Sequence, residues 1–418
     1  MEDRRAVPVV GVDVASATRL AALLERRPRF AERVFTEAER HECAGRPERW
    51  ASRWAAKEAV RKLFGAGGGA PLPAFRDIEV RSGPGGAPRV TVRGRQPPGV
   101  ALSLTHEGDV AVAVAVGGTV PETSPEPPPG LRLPDRPDDG HKGTFGTVVV
   151  LAGAHGYSGA AYLSAMGAAR GGAGLVRLCV PQTLHPIVAV KCTEVMAHGL
   201  PDDDEAGVIG PHALEVLRRD HLPAADVLVV GPGLGRAGIT ERAVKTLLES
   251  LTCPTVVDAD GLNIAAAHGV DWRRSGQPVV ITPHPAEMAR LAGSDTRAVQ
   301  ARRVQTASEY AASAGVVVVL KGAETVVAAP DGRVHVDGHR VVALATGGTG
   351  DVLAGLCGAM LAGHLEPFDA AVAAVTVHAE AGAAAQAERG RAGVLAGDVL
   401  DRLPEAQERL RRALEAAR

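Results

Sequence analysis

The sequence predicts a mostly parallel α/β sheet with helices on both faces, preceded by a smaller α+β module. Three observations carry that expectation. From residue 147 onward, short Val/Leu runs alternate with Ala-rich helical runs. Before residue 118 stand a strand-like run, one long helix and an alternating hairpin. Between them, GGTVPETSPEPPPGLRLPDRPDDG (117–140) is rich in Pro, Glu, Asp and Gly and has no apolar period. That composition reads as a linker or an extended arm. The expected organisation is therefore residues 1–118, a linker at 119–140, and residues 141–418. No internal repeat of fixed period interrupts it.

The elements follow in order. VVGVDVAS (9–16) is a strand that carries Asp13. RWASRWAAKEAVRKLFGAG (49–67) is a helix with a glycine stop at Gly67. ALSLTHEGDVAVAVAV (101–116) is a hairpin turning at Glu107-Gly108-Asp109. In the larger module the strands are expected at 147–151, 175–180, 227–230, 255–257, 279–282 and 316–320. Helices are expected at 159–171, 240–250, 285–292, 349–363 and 368–387. Five of the strands run into glycine-rich or polar loops: AGAHGYSGA, GPGLG, DADGLN, PHPAE and KGAET. Ligands of such sheets bind beyond the carboxyl ends of the strands, so these loops point to a single rim.

Composition narrows the function classes. The chain has 418 residues, 45% of them apolar and only 3% aromatic, so Ala, Val and Leu must fill the core. A formal net charge of −2 gives no global attraction to nucleic acid or anionic lipid. Five scattered cysteines, none in a CxxC pair, argue against a disulfide framework or a thiolate zinc site. The first residues form no apolar signal core, and no apolar run has the length of a membrane span. The expectation is a cytoplasmic protein that binds neither nucleic acid nor membrane.

The stretch ATGGTGD (345–351) precedes the apolar helix VLAGLCGAMLAG. Its glycines let backbone N–H groups converge into a nest, and the following helix adds its positive end. Such a nest suits phosphate. Asp351 would repel that ligand unless it serves the chemistry. It could accept a proton from a hydroxyl that attacks phosphorus, or relay one at a carbon centre. Lys321 is the natural counter-charge, with Gly322 and Thr325 beside it. His284 serves either as a binding residue or as a helix-start turn residue bonded to Glu287. Asp258 and Asp260 either hold magnesium or end a strand.

HKGTFG (141–146), GYSGAA (156–161), GAGLV (172–176), GPGLG (231–235), DADGLN (258–263), TPHPAE (282–287), LKGAET (320–325) and TGGTGD (346–351) resemble, in the same order, the ADP-dependent NAD(P)H-hydrate dehydratases of the ribokinase-like superfamily. Ala286 stands where that family usually has glycine. The resemblance implies repair of a nicotinamide cofactor hydrated on its reduced ring, at the expense of an ADP or ATP phosphate bond. It implies that Lys321, Gly322, Ala323, Glu324, Thr325 and Gly350 bind the adenine nucleotide. It further implies that Ala160, Gly235, His284 and Asp351 line the NAD(P)H hydrate pocket, with Asp351 as base. A different module stands where an epimerase module often precedes this dehydratase.

In the first module, Arg53, Lys57 and Arg61 fall at i, i+4, i+8 and form a basic ridge, and Glu58 and Lys62 are also i, i+4. A salt-bridged surface helix has the same pattern. GVD, RFAERVFTEAE (29–39), RWAAKEA (53–59), FGAG (64–67) and SLTHEGDVAVA (103–113) resemble holo-acyl-carrier-protein synthase, a 4′-phosphopantetheinyl transferase. The resemblance implies transfer of 4′-phosphopantetheine from coenzyme A to a serine of an apo acyl carrier protein. Asp13 and Glu58 would bind Mg2+. Arg53, Lys57 and Lys62 would face coenzyme A phosphates, and His106 would lie near the reacting centre. Arg19, Arg26 and Arg29 would meet the acidic carrier. Ser16 stands where the family usually has glutamate, which removes a charge from the metal region. The family forms trimers, so this module is expected to trimerise the chain. Two alternatives remain: a small-molecule kinase of vitamin precursors in the C-terminal half, and an N-terminal half that is only a trimerising scaffold.

Overall fold

The computed structural model describes residues 9–66, 72–83, 86–97, 99–117, 127–203 and 207–416. The expected helix stop at Gly67 and the first part of the linker, 119–126, lie outside the described residues. The chain divides into two compact units, Met1–Pro125 and Glu126–Arg418.

Unit 1 begins with strand β1 (Val9–Ser16), followed by helices α1 (Ala17–Arg26), α2 (Pro28–Val34), α3 (Glu37–Cys43) and α4 (Pro47–Ala66). Strands β2 (Ile78–Ser82) and β3 (Pro88–Val92) pair as a separate ribbon. Strands β4 (Val100–Glu107) and β5 (Val110–Gly117) form the expected hairpin, and β5 also pairs antiparallel with β1. The alternation in VAVAVAV points the opposite way from a usual core. Ala111, Ala113 and Ala115 face inward, whereas Val110 and Val116 are exposed. The reason is close approach: α4 lies so near β1 that a Cβ on Gly11 would overlap the Ala59 carbonyl oxygen. Only small side chains fit beneath it.

Unit 2 opens with residues 127–140 laid along its own core as an arm. Leu131 is buried there, and Arg411 donates to the Pro134 carbonyl at 3.0 Å. Then follow β6 (Thr147–Leu151), α5 (Ser158–Gly171), β7 (Leu175–Pro181), α6 (His185–Lys191), β8 (Met196–Leu200), α7 (Pro211–Val216), β9 (Val227–Val230), α8 (Gly238–Leu248), β10 (Thr255–Val257) and α9 (Asp260–His268). The chain continues through β11 (Val279–Ile281), α10 (Pro285–Leu291), α11 (Thr296–Ala301), α12 (Arg303–Ala314), β12 (Val317–Leu320), β13 (Val326–Ala328) and β14 (Val334–Val336). It ends with α13 (Thr349–Ala362), α14 (Pro367–Arg389) and α15 (Ala396–Ala416).

These strands form one sheet in the order β14-β13-β12-β11-β10-β9-β6-β7-β8. The ladder from β8 to β12 is parallel, and β13 and β14 add antiparallel at one edge. Strand order reverses between β6 and β9, which opens a crevice at the carboxyl ends of the strands. Each inner strand feeds two cores because successive side chains alternate faces. Val148 and Val150 pack under α5, α13 and α14, while Val149 and Leu151 pack under α7 to α9. Apolar burial on both faces at about 25 cal/mol per Å² fixes the sheet's register and holds the rim loops above it. Helix α13 sits against α5 almost backbone to backbone, since a Cβ on Gly355 would overlap the Ser164 carbonyl oxygen. That contact sets the height of Asp351, one turn above.

Candidate active sites

In unit 2 the rim loops converge. Gly348, at φ 93°, turns the chain so that α13 begins at Thr349. A side chain there would be strained in φ and would press on Leu163. Thr349 Oγ1 donates to the carbonyls of Leu344 and Thr346 at 2.8 and 2.9 Å, closing the TGGTGD turn. Asp351 then lies in the first turn of α13, with its backbone carbonyl taking a bond from Ser164 Oγ at 3.3 Å. Burial and the charges of Asp258 and Asp260 push the Asp351 carboxyl up to about 7, although Lys321 pulls the other way.

Lys321 leaves the end of β12. Its ammonium donates to Asp258 Oδ1 at 2.7 Å and stands 4.0 Å from Glu287 Oε2. Thr282 Oγ1 donates to the same Asp258 oxygen at 2.7 Å. Burial opposes the Lys321 charge, but Asp258, Glu287 and Asp351 outweigh it and hold its pKa above the ordinary value. Lys321, Gly322, Ala323, Thr325 and Gly350 line one cavity of about 370 Å³. Its far wall is apolar, with Val341, Val342, Leu344, Leu353 and Val375. Glu324 sits at the exposed mouth and pairs with Arg340. Arg303 braces the loop from behind through the carbonyls of Leu320 and Glu324, at 2.9 and 3.0 Å.

His284 is the cap of α10. Its Nδ1 accepts from the backbone N–H groups of Ala286 and Glu287, and its own backbone N–H donates to Glu287 Oε2 at 2.7 Å. With Nδ1 an acceptor, the neutral ring carries its proton on Nε2, which faces Glu287 Oε1 at 3.3 Å. Burial and Lys321 lower the His284 pKa, and burial raises Glu287 to about 7. The two expectations for His284 are thus compatible: the Nδ1 side caps the helix while the half-exposed ring meets the rim. On the opposite side, Gly235 N donates to Asp260 Oδ2 at 2.9 Å, and the Gly233 turn rests on Ala160. Between Asp258 and Asp260, Ala259 has φ 49° and ψ −116°, a strained conformation for a residue with a Cβ. That kink sends the first carboxylate to Lys321 and the second to Gly235.

Sequence alone leaves the partners of Lys321 unassigned. It keeps Asp258 open between a metal ligand and a strand end, and it makes Glu287 only a helix-cap partner. The usable signal is DADGLN at a strand end in register with KGAET. The wall formed by Asp337, His339 and His378 leaves no signal, because those residues come from beyond β14 and from the middle of α14.

In unit 1 the structure corrects the basic ridge. Lys57 is fully buried and paired with Glu39 at 2.8 Å, and it also donates to the carbonyls of Phe75 and Ile78. Burial lowers its pKa against the pull of Glu39. Arg53 is buried against Glu42 and Ser82 at 3.3 and 3.0 Å, and Arg61 lies over the Phe75 ring. The ridge faces inward because α3 and the β2 ribbon supply carboxylates and carbonyls that make such burial tolerable. Lys62 is the exposed one. It donates to Asp13 Oδ1 at 2.7 Å and to the Val12 carbonyl at 2.9 Å, with about half its side chain in solvent. Glu58 is half-buried on α4 and His106 is exposed on β4. Ser16 caps α1 by accepting from Arg19 N, and it donates to Asp109 Oδ2 at 2.6 Å. Position 16 carries no charge itself but is tied to a carboxylate on the hairpin turn.

Among the described residues no group of three or more His, Cys, Asp and Glu side chains forms a metal cluster. All five cysteines are free and buried. Among the described residues no helix is long and apolar enough to cross a membrane.

A doubly wound sheet, a glycine turn at a helix start and a lysine between carboxylates on the rim place unit 2 in the ribokinase-like α/β class. Residues 148–405 match the NAD(P)H-hydrate dehydratase family, and residues 9–115 match the 4′-phosphopantetheinyl transferase superfamily. The chain belongs to the NAD(P)H-hydrate dehydratase family, with a transferase-superfamily module fused before the dehydratase module. It is 41% identical over 273 residues to the bifunctional NAD(P)H-hydrate repair enzyme Nnr of Moorella thermoacetica, a match that covers 65% of this chain and 51% of that protein. The ADP-dependent (S)-NAD(P)H-hydrate dehydratase of Neisseria meningitidis is 37% identical over 64% of this chain and 86% of its own length. Among solved structures, the ADP/ATP-dependent NAD(P)H-hydrate dehydratase of Bacillus subtilis, co-crystallized with ATP/Mg2+, aligns with a TM-score of 0.58 at 31% identity. That alignment covers 66% of this chain and 94% of the Bacillus chain. The chain spans about half the length of the bifunctional relatives it matches.

Proposed function

We propose that unit 2 dehydrates NAD(P)H hydrate to NAD(P)H using ADP or ATP. The observation that carries this reading is Lys321 at the nucleotide cavity beside a partly buried carboxylate, Asp351, whose pKa is pushed up to about 7. A carboxyl with an ordinary pKa is a poor acceptor for a hydroxyl proton, whereas one near 7 is well matched to it. Asp351 takes the proton of the ring hydroxyl as its oxygen attacks the terminal phosphoryl group. The phosphorus–oxygen bond to the nucleotide breaks, releasing AMP from ADP. The ring nitrogen's lone pair then expels the new phosphate with its carbon–oxygen electrons. Loss of a proton from the adjacent carbon restores the double bond. Lys321 and the amides of TGGTGD stabilise charge on the phosphate oxygens. His284, Gly235 and Ala160 shape the hydrate pocket, and Gly322, Ala323, Glu324, Thr325 and Gly350 frame the nucleotide.

Unit 1 is read as a phosphopantetheinyl transferase acting on coenzyme A and an apo acyl carrier protein. Asp13 and Glu58 carry hard oxygen donors, the ligand type Mg2+ takes, and would hold the ion together with substrate phosphates. When bound, the ion would supply charge neutralisation at the pyrophosphate. Lys62 is the exposed cation for those phosphates, His106 lies near the reacting centre, and Arg53 and Lys57 hold the fold instead. The outer face of the β1-β5-β4 sheet exposes Val10, Val12, Val14, Val110 and Val116, which supports a trimer assembled through this unit. Five free buried thiols fit a cytoplasmic setting.

The test follows recovery of reduced-nicotinamide absorbance from its hydrate with ADP present or omitted. Recovery that needs ADP and releases phosphate supports the reading. A stable phosphorylated alcohol as product would establish the kinase alternative. Mass gain on an apo carrier incubated with coenzyme A and Mg2+ tests unit 1, and its absence would leave a scaffold.

A further inference from the structure

We propose that Asp258 is a positioning residue of the unit 2 site: it fixes the Lys321 ammonium at the nucleotide cavity and keeps a negative charge facing Asp351. This rests on the dehydratase reading.

The geometry is specific. Asp258 is buried, and one of its oxygens, Oδ1, receives both the Lys321 ammonium and the Thr282 hydroxyl at 2.7 Å. Thr282 is itself fully buried at the end of β11, so Asp258 is oriented from a neighbouring strand before any ligand arrives. A four-carbon lysine stem in an open rim would sample many rotamers, and the anchored one has already lost that freedom. The strained backbone at Ala259 turns Asp258 toward Lys321 while Asp260 turns to Gly235. Strain of this kind persists only where the surroundings hold it.

Asp258 also acts through its charge. The charged and titratable groups that bear on Asp351 and Lys321 are Asp258 and Asp260 at the start of α9, Glu287 and His284 on α10, Cys357 on α13, and His378 on α14. Of these, Asp258 is in direct contact with Lys321 and is the strongest of the charges that hold Asp351 up to about 7. Removing that charge leaves only Glu287 and Asp260 to oppose Lys321 near Asp351, so the proton leaves Asp351 at lower pH.

The experiment compares Asp258→Asn with Thr282→Val and the unaltered chain. ADP affinity is read by calorimetry, and the pH dependence of hydrate dehydration by absorbance. For Asp258→Asn the acid limb of the rate profile should move down by about one pH unit, and ADP should bind at least about tenfold more weakly. Thr282→Val keeps the charge and loses the orienting bond to Asp258, along with a longer one to the Val257 carbonyl. Its acid limb should stay in place while ADP affinity falls a few-fold. An unshifted limb in Asp258→Asn, or unchanged ADP affinity in both variants, overturns the proposal. Should Asp258→Asn fail to fold, unchanged affinity in Thr282→Val alone overturns it. Absence of ADP-dependent dehydration in the unaltered chain would instead sink the dehydratase reading, and the calorimetric arm would still decide the role of Asp258.

Discussion

Replacing Asp351 by asparagine separates activity from stability. Asparagine keeps the size and loses the titrating group. Removing a general base lowers turnover by about 10²–10⁴-fold, whereas ADP affinity should change little because the amides and Lys321 remain. The stability effect has the opposite sign. In the fold the Asp351 carboxyl titrates at about 7 instead of the ordinary 3.8, mainly because it is buried and then because Asp258 and Asp260 face it. A folded-state pKa above the unfolded one means the folded chain holds the proton more tightly. Stability is therefore intact below about pH 4 and falls as pH rises from there to about 7. The difference of about three pH units corresponds to an upper limit of roughly 4 kcal/mol. Asp351→Asn is free of that cost, so it should be more stable than the unaltered chain at about pH 8 and nearly equal to it at about pH 4. Chemical denaturation at both pH values, paired with the hydrate assay, measures this. A variant less stable at the higher pH, or one that loses ADP binding with activity, would refute the account of a partly buried base under electrostatic load.

Three further outcomes follow from the same physics. Glu39→Ala leaves Lys57 buried without its carboxylate and should destabilise unit 1 by about 3–5 kcal/mol, seen as a lower urea midpoint. Glu58→Ala should abolish carrier modification and leave the dehydratase rate unchanged; a matching fall in both would contradict independent sites. Ala259→Gly removes a Cβ from a strained backbone, so the net gain in stability should be about 1 kcal/mol, read as a higher melting temperature.

The α/β class, the places of the parallel strands and the rim loops are all legible in the linear sequence. Those features rest on local periodicity and on glycine, which act within a few residues. TGGTGD announces a glycine-led helix start, and KGAET a lysine at a strand end. Which way side chains face is another matter. VAVAVAV alternates cleanly, yet its alanines rather than its valines point inward, because α4 presses close on β1. Arg53, Lys57 and Arg61 look like a solvent ridge by spacing, but α3 and the β2 ribbon bring Glu39, Glu42 and carbonyls to that face. Asp258, Lys321 and Asp351 are far apart in the chain, and strand order together with the close packing of α13 on α5 brings them to one rim. Charge burial and mutual electrostatics depend on those distant neighbours. It takes the assembled rim to push the carboxyl of an ordinary aspartate up to about 7.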